Sequence, residues 1–150
     1  MSYNGSQAGI GLGSTLSIGT DASPIVYTAV GEITELNESG RQAGSDDSTN
    51  LDSLGREFLP TLIDSGVWPF SGNRIGDDDG QIEMETAFAG LEIRPFKVQL
   101  RPRPSQTIGD VATFRAMVEQ LNYGPVSADK IIKMQGQLKV SGLITWTLGS

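Results

Sequence analysis

IKMQGQLKVSGLITWTL, residues 132–148, alternates with period two over almost its whole length. Ile132, Met134, Leu138, Val140, Ile144, Trp146 and Leu148 share one parity, and Lys133, Gln135, Gln137, Lys139, Ser141, Thr145 and Thr147 share the other. That is the pattern of a long strand with one face buried and one face wet. Gly136 and Gly142 fall on the apolar parity, which predicts bulges or a bend rather than one flat ribbon. Working outward, the same alternation recurs at Ala112, Phe114, Ala116 and Val118, at Phe96, Val98 and Leu100, and at Trp68 and Phe70. Shorter alternating runs hold Leu16 and Ile18, then Ile25, Tyr27 and Ala29, then Ile33 and Leu36. With no internal repeat and no linker, the chain reads as one mainly β, antiparallel domain.

One segment departs from period two. Met84, Ala87, Phe88 and Leu91 stand at i, i+3, i+4 and i+7, the stripe of an amphipathic helix, with Gly90 as its stop. Asp77, Asp78 and Asp79 precede it, where carboxylates favour the positive end of the helix dipole. Asp78 and Asp79 are the N-cap candidates, and Asp78 with Gln81 has capping-box spacing. A calcium loop aligned on Gly80 would put Ile75 and Thr86 at ligand positions that need carboxylates, so capping is preferred. Glu83 and Glu85 lie off the stripe and are expected to face solvent, not to form a catalytic pair.

Composition narrows function further. The 150 residues include no Cys and no His, which excludes disulfides, thiolate or imidazole metal sites, and nucleophile–histidine catalysis. The net charge of −7 disfavours wrapping nucleic acid by phosphate neutralisation. Charge is also uneven, −12 over residues 1–93 and +5 over residues 94–150, compatible with head-to-tail self-association unless the two parts interleave. No apolar run reaches the length of a membrane span. Residues 1–13 lack the pattern of a signal peptide and read as a flexible Gly/Ser-rich arm. Their GIGLG string has neither the strand nor the helix of a dinucleotide loop around it. Arg94, Lys97, Arg101 and Arg103 are expected on a solvated strand face, and Trp68 and Trp146 in the core instead of on a carbohydrate platform.

Residues 37–55, NESGRQAGSDDSTNLDSLG, form a long polar stretch that reads as a structureless loop, a feature normally functional or disordered. Its second half continues into the string DDSTNLDSLGREFLPTLIDSGVWPFSGN (46–73), which resembles the major tail tube proteins of long-tailed, siphovirus-type bacteriophages. The likeness is carried by Asp47, Thr49, Leu51, Asp52 and Ser53, by Arg56, Glu57 and Phe58, by Leu62, Asp64 and Gly66, and by Phe70, Gly72 and Asn73. Val30–Ile33 leads into it, and the acidic helix start, Phe96–Val98 and the segment 125–142 come after it in the family's order.

The resemblance implies an antiparallel β-sandwich or partly closed barrel with one flanking α-helix. It implies a non-enzymatic virion protein without cofactor or metal, assembled in the bacterial host cytoplasm. Copies would form hexameric rings stacked into the tail tube, the conduit for DNA ejection. Arg41, Asp46, Asp47, Asn50, Leu51, Asp52 and Leu54 become inter-subunit or inter-ring candidates, and Gln135, Gln137 and Lys139 lumen-facing candidates. The arm 1–13 and a C-terminal extension, 143–150, are further contact candidates. Partners by analogy are the tape-measure, tail terminator and distal tail proteins. Double-stranded DNA would pass without specific binding, and no membrane is involved. A type VI secretion-like tube protein and a monomeric carbohydrate-binding β-sandwich are the alternatives.

Overall fold

The computed structural model describes residue 9 and residues 11–150. Most of the arm expected at 1–13 lies outside these residues. The described chain is mainly β, with one helix. Its strands are β1 (Thr15–Gly19), β2 (Tyr27–Ala29), β3 (Ile33–Leu36), β4 (Gln42–Asp47), β5 (Phe58–Asp64), β6 (Val67–Asn73), β7 (Ile93–Gln99), β8 (Val111–Tyr123) and β9 (Lys133–Thr147). The helix α1 spans Asp79–Ala89, between β6 and β7.

Seven strands make one antiparallel sheet in the order β2-β1-β7-β8-β9-β6-β3, and β4 pairs with β5 alone. The large sheet does not close by strand pairing, since its end strands β2 and β3 share no ladder. The chain itself spans that seam through Val30–Glu32, and the start of α1 packs over it. Asp78 Oδ2 accepts from the Gly31 amide at 3.0 Å, while Gln81 Nε2 donates to the carbonyls of Gly31 at 3.0 Å and Asn73 at 2.9 Å. The seam is therefore closed by side-chain amides and carboxylates that satisfy backbone groups a ladder would otherwise have paired.

The core lies on the inner face. Phe96 and Phe114 stack at 5.9 Å, and Phe114 and Trp68 at 5.2 Å, joined by Leu16, Ile18, Met84, Met134 and Leu138. These are the positions that period two assigns inward. Ala112, Ala116 and Val118 on β8 complete that parity, all at most 3% exposed.

The structure corrects several expectations. Asp78 alone is the N-cap, with extended backbone and its side chain accepting from Gln81 N; Asp79 is the first helical residue and cannot cap. Gln81 does not return a bond to Asp78, because its amide is committed to the seam. Leu91 falls beyond the Gly90 cap and is exposed. Glu83 and Glu85 do not simply face solvent, since Glu83 binds Arg94 at 2.8 Å and Glu85 accepts from the Tyr123 hydroxyl at 2.8 Å. Gly142 sits at φ 86° where the β8–β9 register shifts, but Gly136 stays in register, against the Phe70 ring and the Gln120 carbonyl.

The far end of β9 is less buried than its alternation implies. β6 stops pairing with β9 at Val67–Lys139, so beyond Val140 only β8 flanks the strand. Trp146 is accordingly 39% exposed and borders an open cavity of about 450 Å³ with Trp68, Leu36 and Leu100, whereas Trp68 is core. Residues 143–147 belong to β9, and Gly149 and Ser150 hydrogen-bond to Asp110, Thr107 and Ile108.

Candidate assembly surface

The polar stretch at 37–55 is not structureless. Its middle forms β4, paired with β5 in a hairpin that leaves the main sheet between Ser39 and Val67. The root of this arm is fixed by a close backbone crossing. Gly66 has φ 74°, and a Cβ there would lie 2.1 Å from the Ser39 carbonyl oxygen. Only glycine meets both demands at that position. Buried Ser65 donates to the Gly142 carbonyl, and the Gly66 carbonyl accepts from Val140 N at 3.2 Å, joining the root to β9. Arg41 stands at this root, paired with Glu38 at 3.5 Å, and so is separate from the tip residues.

The tip, residues 48–57, is held by its own side chains. Asp47 Oδ1 accepts from Thr49 N at 2.8 Å, Thr49 Oγ1 accepts from Glu57 N at 2.8 Å, and Asn50 Oδ1 accepts from Asp52 N at 2.9 Å. Ser53 Oγ donates to Glu57 Oε2 at 2.9 Å, and Arg56 reaches Asp47 at 2.7 Å. Hydrogen bonds from Thr49, side chain then backbone, lower the Asp47 pKa below its ordinary value; desolvation opposes them and the Arg56 hydrogen bond adds to them. These short polar side chains bond backbone two or three residues away, which is how Asp, Asn, Ser and Thr build turns. The Asp-x-Thr-x-Leu-Asp-Ser pattern thus specifies a rigid tip shape.

That shape presents apolar groups to solvent. Leu51 is 105% exposed and Leu54 107% exposed. On β5 the side chains of Phe58, Leu59, Leu62 and Ile63 are all more than half exposed, on both faces of the ribbon. An isolated two-stranded ribbon is marginal in water, and a contiguous apolar patch of this kind marks an interaction site. Of the sequence candidates, Asp46, Asp47, Asn50, Leu51, Asp52 and Leu54 come together here. Sequence reasoning missed the β5 residues; the signal available for them is the run Phe58–Ile63, apolar on both parities apart from Thr61.

Gln135, Gln137 and Lys139 form a separate row on the outer face of β9. Gln135 lies between Ser71 and Asn122, Gln137 between Pro69 and Gln120, and Lys139 between Val67 and Met117. The Gln137 amide donates to Glu119, and Lys139 is the charged member of the three.

The basic group splits. Arg94 is not on the solvated face: it shares the inward parity of Phe96, is 8% exposed, and donates to the Gly19 carbonyl at 2.7 Å. Burial opposes its charge, but Glu83 at 2.8 Å and Glu92 at 2.9 Å outweigh that and raise its pKa. Asp21 and Arg115, at 2.9 Å, likewise join the acidic first part to the basic last part. In the large sheet the later strands β7, β8 and β9 are flanked on both sides by earlier ones, and acidic excess remains both in the arm and around α1, where only Glu83 and Glu92 of the six carboxylates in residues 75–92 pair with Arg94.

No protein-family profile and no curated protein matches the sequence. Solved structures share its fold. A chain of the SPP1 tail tube superposes with a TM-score of 0.65 at 15% identity, covering 91% of this chain and 77% of that one. A chain from the tail of an empty gene transfer agent particle, refined with C6 symmetry, gives 0.62 at 17% identity, covering 88% and 95%. A chain of the anti-feeding prophage baseplate gives 0.68 at 8% identity, covering 95% and 97%. The fold is thus one found in tube and baseplate chains of phage-like particles.

Proposed function

We propose that this chain is the repeating subunit of a phage-type tail tube, a structural component of a virion that guides DNA into a host. The observation that carries the reading is the arm: a preformed tip and a β5 ribbon exposing six large apolar side chains need a partner surface. Fold likeness to a tail tube chain and to a tail refined with C6 symmetry favours hexameric rings stacked into a tube. Heterologous contacts can both close a ring and propagate a stack.

The β9 row of Gln135, Gln137 and Lys139 lines the lumen in this reading, with two uncharged amides beside Lys139. A net charge of −7 gives the chain as a whole no attraction for DNA. No side chain is asked to turn over a substrate. Tape-measure, terminator and distal tail proteins are the further partners, met as the tube is built in the bacterial cytoplasm.

Negative-stain microscopy of the purified chain tests the reading. Rings or tubes are expected at high protein concentration, and a monodisperse monomer under all conditions would refute it. Replacing residues 42–64 by a short Gly-Ser link should leave a folded sheet, because Ser39 and Val67 already pair at the root. Such a variant should not stack; tubes of normal length from it would exclude the arm as the stacking element.

A further inference from the structure

We infer that Lys133, Asn73 and Glu32 form a self-modification site, at which the lysine amine displaces ammonia from the asparagine side chain and joins β9 to β6 by an amide bond. The inference concerns a single chain and stands apart from the tube reading.

Asn73 ends β6 and Lys133 begins β9, and the two are directly opposed at the end of their ladder. Lys133 Nζ donates to Asn73 Oδ1 at 2.9 Å, and Asn73 Nδ2 donates to Glu32 Oε1 at 3.1 Å. An ammonium only donates and a carboxylate only accepts, so both neighbours select the same orientation of the amide. The amine therefore lies against the carbonyl it attacks, and the carboxylate against the nitrogen that leaves. A carbonyl bond is about 1.2 Å long, so Nζ stands within about 4.1 Å of Asn73 Cγ, against about 3–3.5 Å for attack. A shift of about 1 Å or less closes that gap.

Glu32 is held in place by a strained backbone. Its φ is 53°, uncommon for a residue with a side chain, and such outliers gather at functional sites. The surroundings enforce it. Asn73 N donates to the Glu32 carbonyl at 3.0 Å, and the preceding Gly31 is tied to Asp78 and Gln81. Gly72 permits the approach, since a Cβ there would lie 2.5 Å from the Glu32 carbonyl oxygen. These bonds secure the seam through backbone groups, so neither the Glu32 carboxylate nor the Lys133 amine is needed for it.

The reaction balances without a co-reactant. The neutral amine adds to Asn73 Cγ as the carbonyl electron pair moves onto Oδ1. Both nitrogens then share Cγ, and the proton of the added nitrogen passes to Glu32 and from there to Nδ2. The carbonyl re-forms, the Cγ–Nδ2 bond breaks and ammonia departs. Oriented reactants reach effective molarities of about 10⁵–10⁸ M, and Glu32 supplies the proton transfers. Besides Glu32, the charged or titratable groups at this end are Arg74 on the Tyr123 ring, Glu85 bonded to Tyr123, Asp77, Asp78 and Asp79 before or in α1, and Asp129 and Lys130 in the loop before β9. Among the described residues no carboxylate lies within ion-pair distance of Lys133 Nζ, so no ion pair holds the amine in its charged form. Lys133 is exposed, and only its neutral fraction reacts, so the bond forms slowly and faster as pH rises.

Intact-mass spectrometry of the full chain, incubated for days at pH 7 and at pH 9, tests the site. A species lighter by one ammonia should accumulate, sooner at pH 9, and digestion should yield the Asn73 peptide joined to the Lys133 peptide. Lys133→Arg keeps the charge and the hydrogen bond but should give no joined peptide. Glu32→Gln should slow the joining by about tenfold or more. Both side chains are exposed, and thermal melts should show both variants folded. No ammonia loss from the wild type at either pH would overturn the proposal. So would loss that persists in Lys133→Arg, conversion of Asn73 to aspartate without a joined peptide, or an unchanged rate in Glu32→Gln.

Discussion

Replacing Leu51 and Leu54 together by serine separates what the arm does for the monomer from what it does for the assembly. Both leucines exceed 100% relative exposure, so neither contributes packing within its own chain. The tip that carries them is held by Asp47, Thr49, Asn50, Ser53 and Glu57, which the change leaves intact. Monomer stability should therefore stay within about 0.5 kcal/mol of wild type. Burying a leucine contributes about 1.5–3 kcal/mol, so two seated leucines contribute about 3–6 kcal/mol per arm. At about 1.4 kcal/mol per tenfold change in affinity, the concentration needed for rods rises by about two to four orders of magnitude. Light scattering over a dilution series, with rods counted by microscopy, reads that threshold, and a thermal melt at low concentration reads the monomer. A threshold moved less than threefold would mean the leucines stay in water after assembly. A monomer destabilised by more than about 1 kcal/mol would mean the tip packs on its own sheet.

Three further outcomes rest on the geometry. Gly66→Ala should cost about 1–3 kcal/mol in denaturant titration, because φ is 74° and the new methyl meets the Ser39 carbonyl; an unchanged midpoint would refute the crossing. Arg94→Met should cost about 1–3 kcal/mol through the lost donor to Gly19, while Glu83 and Glu92, each more than two-fifths exposed, are left to water; no loss would mean the guanidinium is dispensable. Burial first, then the Glu85 hydrogen bond and charge, push the Tyr123 phenol up to about 12, against an opposing pull from Arg74. The fold favours the neutral phenol, so its contribution is complete below pH 10 and is lost as pH rises towards 12. Stability measured over that window should fall more steeply for wild type than for Tyr123→Phe, and equal slopes would contradict the assignment.

The main sheet was legible because one face of each central strand is covered, and burial imposes period two on the sequence. Trp68, Phe96, Phe114, Met134 and Leu138 all follow from parity alone. Arg94 was legible too, since it shares the parity of Phe96; its charge alone suggested the solvated face, and the structure buries it. The arm escaped for a physical reason. A ribbon with neither face covered by its own chain has no inside, so no alternation is imposed on Gln42–Asp47 or Phe58–Asp64. Its polar β4 reads as loop, and its β5, apolar on both parities, carries no alternation to mark it as a strand. Trp146 misled in the opposite sense, since alternation continues along β9 after its inner covering ends.

The attachment of the arm to β9 has a mechanical consequence. Ser65 and Gly66 are bonded to Gly142 and Val140, near the middle of the longest strand. A pull along β9 on an arm held by another copy would enter the strand there, while β9 is held by β8 over most of its length. Ladder bonds lie across the strands, so such a pull loads many of them in shear at once instead of peeling them one by one. A filament of these chains would resist stretching through its backbone ladders, and would yield first at the side-chain contacts between copies.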